Sequence, residues 1–532
     1  MFRVAAFFLA AFIFSALRIH GNLQRDDYID VLKYKINIEV NDTTNLINGS
    51  TGITIVLKKP AHQIELDLVS RNSSNTGMVV DSVLKGGVQI RYNHTGNRLH
   101  LPVPENISSD TLFYKIFYQG IPADGLIMSK NMYGRRTFFA DNWPDRARNW
   151  FPSFDHPSDR AIVDFVITAP SHYQVIATGL LQRKVNIPGK RTTHYWSTSV
   201  SIPTKVMVFG AAEFAVEYHE DINNIPFSTW VYPENLDEGL HDFSVTPEIV
   251  NFFSEMLGPY PFEKLANVQS TTRYGGMENA GNIFYHEGSI TGNGSLKSTI
   301  VHEIAHQWFG NSVTERDWPH LWLSEGLATW LTDYYYEQQI CDSIARERFI
   351  SHRNRIIDFS KTRLAPVVDF HEEKYTELLN PNTYQKGSWI LHMLRQKIGE
   401  KALVEGIVEF YNRHQLSHAC SDDFIRLLEE ITGDNLEQFF DDWLFSAGHP
   451  QLSFNTSFNN NRFRMEVVQM QQHKMAFTFP LDIRFICEND KVIDHTFDIM
   501  FRRHEFILDL PSEPVDIIYD PDVWLLFELM NP

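Results

Sequence analysis

From about residue 27 to 218 hydrophobic and polar residues alternate with a period of two, in runs such as YKINIEV from Tyr34, GITIVL from Gly52, HQIELDLV from His62 and DFVITAP from Asp164. Clusters of Gly, Pro and Asn separate these runs, the pattern of half-buried strands joined by turns. It predicts an N-terminal antiparallel β domain over residues 22–218. From about 240 to 445 the period lengthens to a helical one, and Gly310, Gly399 and Gly433 stand where long amphipathic runs stop. A mainly helical domain is expected over 219–446. Alternation then returns at Phe463, Met465 and Val467 and again at Phe477, Phe479, Leu481, Ile483 and Phe485, which predicts a small β-sandwich over 447–532. The fold class is therefore α+β and multidomain. No internal repeat or low-complexity linker interrupts it, so the three domains are expected to pack on one another.

Composition adds constraints on location and partners. Arg3, the apolar stretch Val4 to Leu17 and the small residue Gly21 have the layout of a secretory signal peptide over residues 1–21. The stretch is shorter than the roughly 20 apolar residues a spanning helix needs, so a secreted, extracellular protein without a retained membrane anchor is expected. Seven Asn-x-Ser/Thr sequons, at Asn41, Asn48, Asn72, Asn93, Asn106, Asn293 and Asn455, fit a glycoprotein. A formal charge of −19, with no Lys/Arg-rich run, excludes nucleic acid as a partner. Cys341, Cys420 and Cys487 are too few for a disulfide scaffold and leave at least one unpaired.

The candidate chemistry lies in SLKSTIVHEIAHQWFGN. His302 and His306, four apart on a helix, share one face one turn apart and can address one ion, while Glu303, rotated by about 100°, stays free to act as a base. A catalytic zinc takes a third protein ligand and keeps its fourth position open, and Glu325, in LWLSEGLATW on the next candidate helix, supplies one.

With HQWFGNSVTERDW and LWLSEGLATW, this constellation resembles the gluzincin aminopeptidases, the family of aminopeptidase N and leukotriene hydrolase. Gly275, Gly276, Met277, Glu278 and Asn279 match a second family motif, Tyr384 with Lys386 and Gly387 a third, and FPSFDHP and DDWLFSAGHP extend the likeness from about residue 30 to the end. The resemblance implies a thermolysin-like catalytic domain and one Zn2+ per chain. It implies that Tyr384 steadies the oxyanion, that Glu278 binds the free α-amine of a peptide, and that Gly275 and Gly276 line the substrate backbone. Nothing local separates Tyr384 from Tyr375. Where members of the family have a Gln facing the amine, this chain places Asp141, which would favour cationic termini or basic first residues. Longer members continue into a helical domain, and its absence from this sequence implies a less enclosed site. The expected function is a secreted zinc aminopeptidase acting on peptides with a free N-terminus. A catalytically silent peptide-binding homologue, a lipid epoxide hydrolase and a zinc endopeptidase are the alternatives that share parts of the same site.

Overall fold

The computed structural model describes residues 28–103, 111–488 and 491–530. The expected signal peptide and the sequon at Asn106 lie outside them. Among the described residues no helix is long and apolar enough to cross a membrane. The chain divides into two compact units, one reaching to residue 214 and taking in 270–272, the other comprising 215–269 and 273 onward.

The first unit is built on a nine-stranded sheet that runs Leu180–Ile187, Arg191–Ser197, Arg160–Pro170, Ile29–Glu39, Ile47–Leu57, Thr111–Ile121, Gly77–Lys85 and Val88–Ile90, with Ile202–Pro203 added to Arg160–Pro170. The alternation read from the sequence is the alternation of burial: Tyr34, Ile36, Ile38, Ile53, Ile55, Phe165 and Ile167 all point into the core. One expectation is corrected. Ile29–Glu39 pairs in parallel with Arg160–Pro170, with Lys33 opposite Ile162, so the domain is not antiparallel throughout. No hairpin joins these two strands; the chain passes through other strands between them, and a connection of that length leaves the direction of return open.

FPSFDHP proves to be a lock within this unit. Asp155 accepts from the Arg148 backbone N–H and Nε and from the Thr204 hydroxyl, while its own N–H donates to Asp67. Asp141 is wholly buried and accepts from Arg146 Nη2 at 2.5 Å, and Asp124 approaches the same guanidinium at 3.4 Å.

The second unit opens with a five-stranded sheet in the order Ala215–Tyr218, Phe227–Val231, Leu265–Ser270, Asn282–His286 and Gly276–Met277. The sequence pattern did not show it. Leu265–Ser270 is buried at every position, its polar Asn267, Gln269 and Ser270 included, so its polar positions do not mark a solvent face. Helices follow, among them Lys297–Ala305, Trp322–Gln339, Gly387–Ile398 and Glu437–Trp443. Trp322–Gln339 is buried almost all round, which places it at the centre of the helical layer.

Beyond the helices lie a four-stranded sheet (Arg503–Asp509, Arg462–Gln469, Gln451–Asn459, Glu528–Leu529) and a three-stranded one (Lys491–Ile499, Phe479–Cys487, Pro514–Tyr519). Aromatic pairs join them: Phe463 with Phe485, Phe497 with Phe506, and Phe454 with Tyr519, at ring separations of 4.9, 4.7 and 3.9 Å. All three cysteines are free, Cys341 exposed and the other two buried.

Candidate metal centre

The helix Lys297–Ala305 ends sooner than Gly310 suggests, and His306 is its C-cap. The residue keeps helical dihedrals, φ −59° and ψ −22°, and its N–H bonds to the His302 carbonyl, so the four-residue relation between the imidazoles survives. The chain turns here because Gly310, at φ +120°, folds back to bond Val313. A Cβ on Gly310 would lie 2.8 Å from His306 Nδ1 and 2.5 Å from Ser324 Oγ, so only glycine lets the turn press against the imidazole.

His306 Nδ1 lies 3.0 Å from the Phe309 carbonyl and 3.3 Å from Ser324 Oγ. Donation from Nδ1–H to the carbonyl fixes the tautomer and leaves the Nε2 lone pair for a metal. Ser324, whose place in the sequence carried no obvious role, thus belongs to the support of a ligand.

His302 Nε2, His306 Nε2 and one Glu325 oxygen, Oε2, converge. Their separations are 3.0 Å between the imidazoles, 3.4 Å from His302 to Glu325 and 3.1 Å from His306 to Glu325. Ligand bonds of about 2.0–2.1 Å at tetrahedral angles put donor atoms about 3.3 Å apart, so the triangle has the dimensions of three corners around zinc. Two imidazoles and a carboxylate are also the donor set of a catalytic zinc with one open position.

Charge within the triangle is strongly coupled. Burial works against charge on both His306 and Glu325, but their mutual attraction outweighs it, pushing the imidazole up to about 10 and holding the carboxyl well below the carboxylate range. Burial, then the neighbouring His306, pushes His302 down. A divalent ion bound here would take the place of those protons.

The Glu303 carboxylate lies against the edge strand Gly276–Met277. A Cβ on Gly276 would lie 2.2 Å from Glu303 Oε1, so the second glycine of the motif is the space that the carboxylate occupies. Burial pushes the Glu303 carboxyl well up; His306 opposes, and the carboxylates of Glu278 and Glu325 add to the rise. Gly276→Ala is expected to displace this carboxylate and cost about 10²-fold in kcat with unchanged metal content, because an error of about 1 Å in a reacting group has that effect. Steady-state kinetics with metal analysis checks it.

The strand Gly276–Met277 is the outer edge of the five-stranded sheet and pairs with Tyr285 and Phe284. An edge offers main-chain donors and acceptors to an extended peptide. Glu278 and Asn279 follow it and are buried, as is Met277, while Gly275 is exposed. The Glu278 carbonyl is held by Gln307 Nε2 at 2.9 Å and Asn311 Nδ2 at 2.5 Å. Gln307 also accepts from Gly281 N–H and Tyr260 hydroxyl. These two amides tie the motif strand to the ligand segment. Sequence reasoning passed over them, since only their place in HQWFGN could have drawn attention to them.

Tyr384 sits on a single π-helical turn, Asn382–Lys386, a local form common at functional sites. Its ring lies 6.0 Å from that of His302, inclined by 24°. Burial, then the carboxylates of Glu325, Glu278 and Glu303, pushes the phenol well above its usual range, so it remains a donor. Tyr375 instead stacks on Trp318. The turn approaches the second ligand helix because Gly326 and Gly387 meet backbone to backbone: a Cβ on Gly326 would lie 3.0 Å from Gly387 Cα. Asp141 belongs to the other compact unit, and its carboxylate is engaged by Arg146.

Comparison with known proteins agrees with this arrangement. Residues 31–206 match the peptidase M1 N-terminal domain and residues 241–443 the peptidase family M1 domain, together well over half of the chain. The chain is 24% identical over 353 residues to glutamyl aminopeptidase of Bitis rhinoceros, covering 61% of this chain and 36% of that protein. It is 24% identical over 479 residues to the mitochondrial aminopeptidase 2 of Saccharomyces cerevisiae, covering 82% and 49%. To human glutamyl aminopeptidase it is 25% identical over 390 residues, covering 69% and 40%. The chain thus spans between about a third and a half of the length of these relatives. With both domain models matched in order and the metal triangle in place, the chain belongs to peptidase family M1.

Proposed function

We propose that this protein is a secreted zinc-dependent aminopeptidase that removes N-terminal residues from peptides. The observation that carries the reading is the placement of Glu278 at the end of an edge strand whose glycine receives the Glu303 carboxylate, next to the three-ligand triangle. A zinc ion held by His302, His306 and Glu325 supplies the Lewis acidity that makes water a nucleophile near neutral pH.

The side chains divide the remaining work. Glu303 takes the proton of the attacking water and returns it to the departing amine. The Tyr384 hydroxyl donates to the oxyanion that forms as water adds. Glu278 accepts from the α-ammonium group, with Glu325 nearby, so that the scissile bond stands one residue from the terminus. Met277 and Asn279 frame that carboxylate, and the backbone of Gly275 and Gly276 lies against the peptide. The two C-terminal sheets form the small β-sandwich of the family arrangement. The leader over residues 1–21 and the exposed sequons at Asn48, Asn72, Asn93, Asn293 and Asn455 support secretion and glycosylation.

The test is a panel of fluorogenic aminoacyl substrates, with and without a zinc chelator, and a peptide offered free and N-acetylated. Two of the relatives are named glutamyl aminopeptidase, so Glu joins Arg, Ala and Leu in the panel. Chelator-sensitive release from free termini alone is expected. Efficient cleavage of the blocked peptide would point to an endopeptidase, and no release at all to a silent binding homologue.

Asp141 adds a specificity component to the proposal. Its carboxylate is paired with Arg146, and its place in the specificity proposal rests on the family resemblance alone. Asp141→Gln is expected to lower the preference for Arg while Ala and Leu stay level. Unchanged relative rates across the three substrates would remove Asp141 from specificity.

A further inference from the structure

Lys386 lies two residues beyond Tyr384 in the same π-helical turn and is wholly buried, yet none of the chemistry above uses it. Its ammonium donates to the Gly448 carbonyl at 2.8 Å and the Ser446 carbonyl at 3.3 Å. Both belong to the segment that leaves the helix Glu437–Trp443 and enters the first strand of the C-terminal sheets, Gln451–Asn459.

That segment is fastened from several sides. Lys474 donates to Ser446 Oγ at 2.7 Å and pairs with Asp442 at 2.8 Å, and Asp442 also accepts from the Thr478 N–H and the Gln438 amide. The Leu444 carbonyl receives the N–H groups of Val367 and Val368. A Cβ on Gly448, at φ +72°, would lie 2.4 Å from His473 Nε2, so the segment runs directly against the loop carrying Lys474. Lys386 thus reaches from the Tyr384 turn to a fixed point.

We infer that Lys386 is a positioning residue, a strut that sets the height of the Tyr384 hydroxyl over the metal centre and makes residues 444–450 part of the catalytic apparatus. The ammonium is solvated by peptide carbonyls alone at those two contacts, an arrangement that costs desolvation and is tolerated where the ordering of a segment depends on it. Burial, with Lys474 acting in the same sense, pushes the amine down to about 7. Both protonation forms carry enough N–H groups for the two carbonyls, so the strut does not depend on titration.

The kinetic arm of the test rests on the aminopeptidase reading; the exchange arm does not. Lys386→Met is expected to lower kcat by about 10- to 100-fold, with KM within about twofold of the parent and zinc stoichiometry unchanged. Because Lys386 acts through Tyr384, the same substitution made in Tyr384→Phe should cost almost nothing further, whereas a residue that only stabilises the fold would give additive losses. Hydrogen–deuterium exchange should quicken in peptides covering 382–387 and 444–450 and stay level in the helix Lys297–Ala305. Lys386→Gln, which keeps a donor on a shorter stem, serves as the second variant if methionine does not fold, and should show the same non-additivity with a smaller loss. Additive losses in the double variant, or unchanged exchange in both segments, would overturn the inference. A parent protein without peptidase activity would sink the functional reading and leave the exchange result to decide on the strut.

Discussion

Glu303→Gln is expected to lower kcat by about 10²- to 10⁴-fold, the range spanned by loss of a positioned general base. The substitution keeps the volume and removes the charge and the proton-accepting role. The metal should remain, because the ligand atoms belong to His302, His306 and Glu325, while the Glu303 carboxylate packs against Gly276. KM should change little, since the proposed mechanism assigns the substrate amine to Glu278. Burial holds the Glu303 carboxyl high, and a divalent ion nearby works in the opposite sense, so the acid limb of the parent pH–kcat profile reports this group; in the glutamine variant that limb should disappear. The measurement is a pH-resolved kcat on an alanyl or leucyl substrate, with zinc content determined on the same sample. Activity within tenfold of the parent would remove Glu303 from the base role.

What could be read in advance and what could not follows from the kind of signal each feature leaves. The pair His302 and His306 and the strands from Ile29 to Pro170 are periodic, and a period survives in a linear text. The parallel pairing of Ile29–Glu39 with Arg160–Pro170 leaves no such mark, because direction is decided by where a long connection returns. Leu265–Ser270 was missed for another reason: buried on both faces, it carries Asn267 and Gln269 inside, so its polarity does not report its burial. Gly276 and Gly310 were legible as glycines, but the reason for each is an atom distant in sequence, a Glu303 oxygen in one case and His306 Nδ1 in the other. Asp141 shows the same limit from the side of charge. Its carboxylate could be counted in the sequence, but its engagement by Arg146 five residues later could not be foreseen from spacing in a segment that is neither helix nor strand. Lys386 is the clearest case. The motif pointed to it, and only the folded structure shows that its partners are carbonyls sixty or more residues away.

Tyr384→Phe is expected to lower kcat by about 10²- to 10³-fold, the usual cost of losing one donor to an oxyanion. Phenylalanine retains the ring that lies near His302 and removes only the hydroxyl, so metal content and KM should stay near the parent values. The pH dependence separates this loss from that at Glu303. Burial and three neighbouring carboxylates hold the phenol well above its ordinary value, so the hydroxyl keeps its proton across the working range and contributes no limb of its own. Tyr384→Phe should therefore lower the whole pH–kcat profile uniformly, whereas Glu303→Gln should change its shape. If an alkaline limb of the parent enzyme vanished in Tyr384→Phe, the tyrosine would be titrating during turnover, and its role would be proton transfer to or from substrate rather than donation of a standing hydrogen bond.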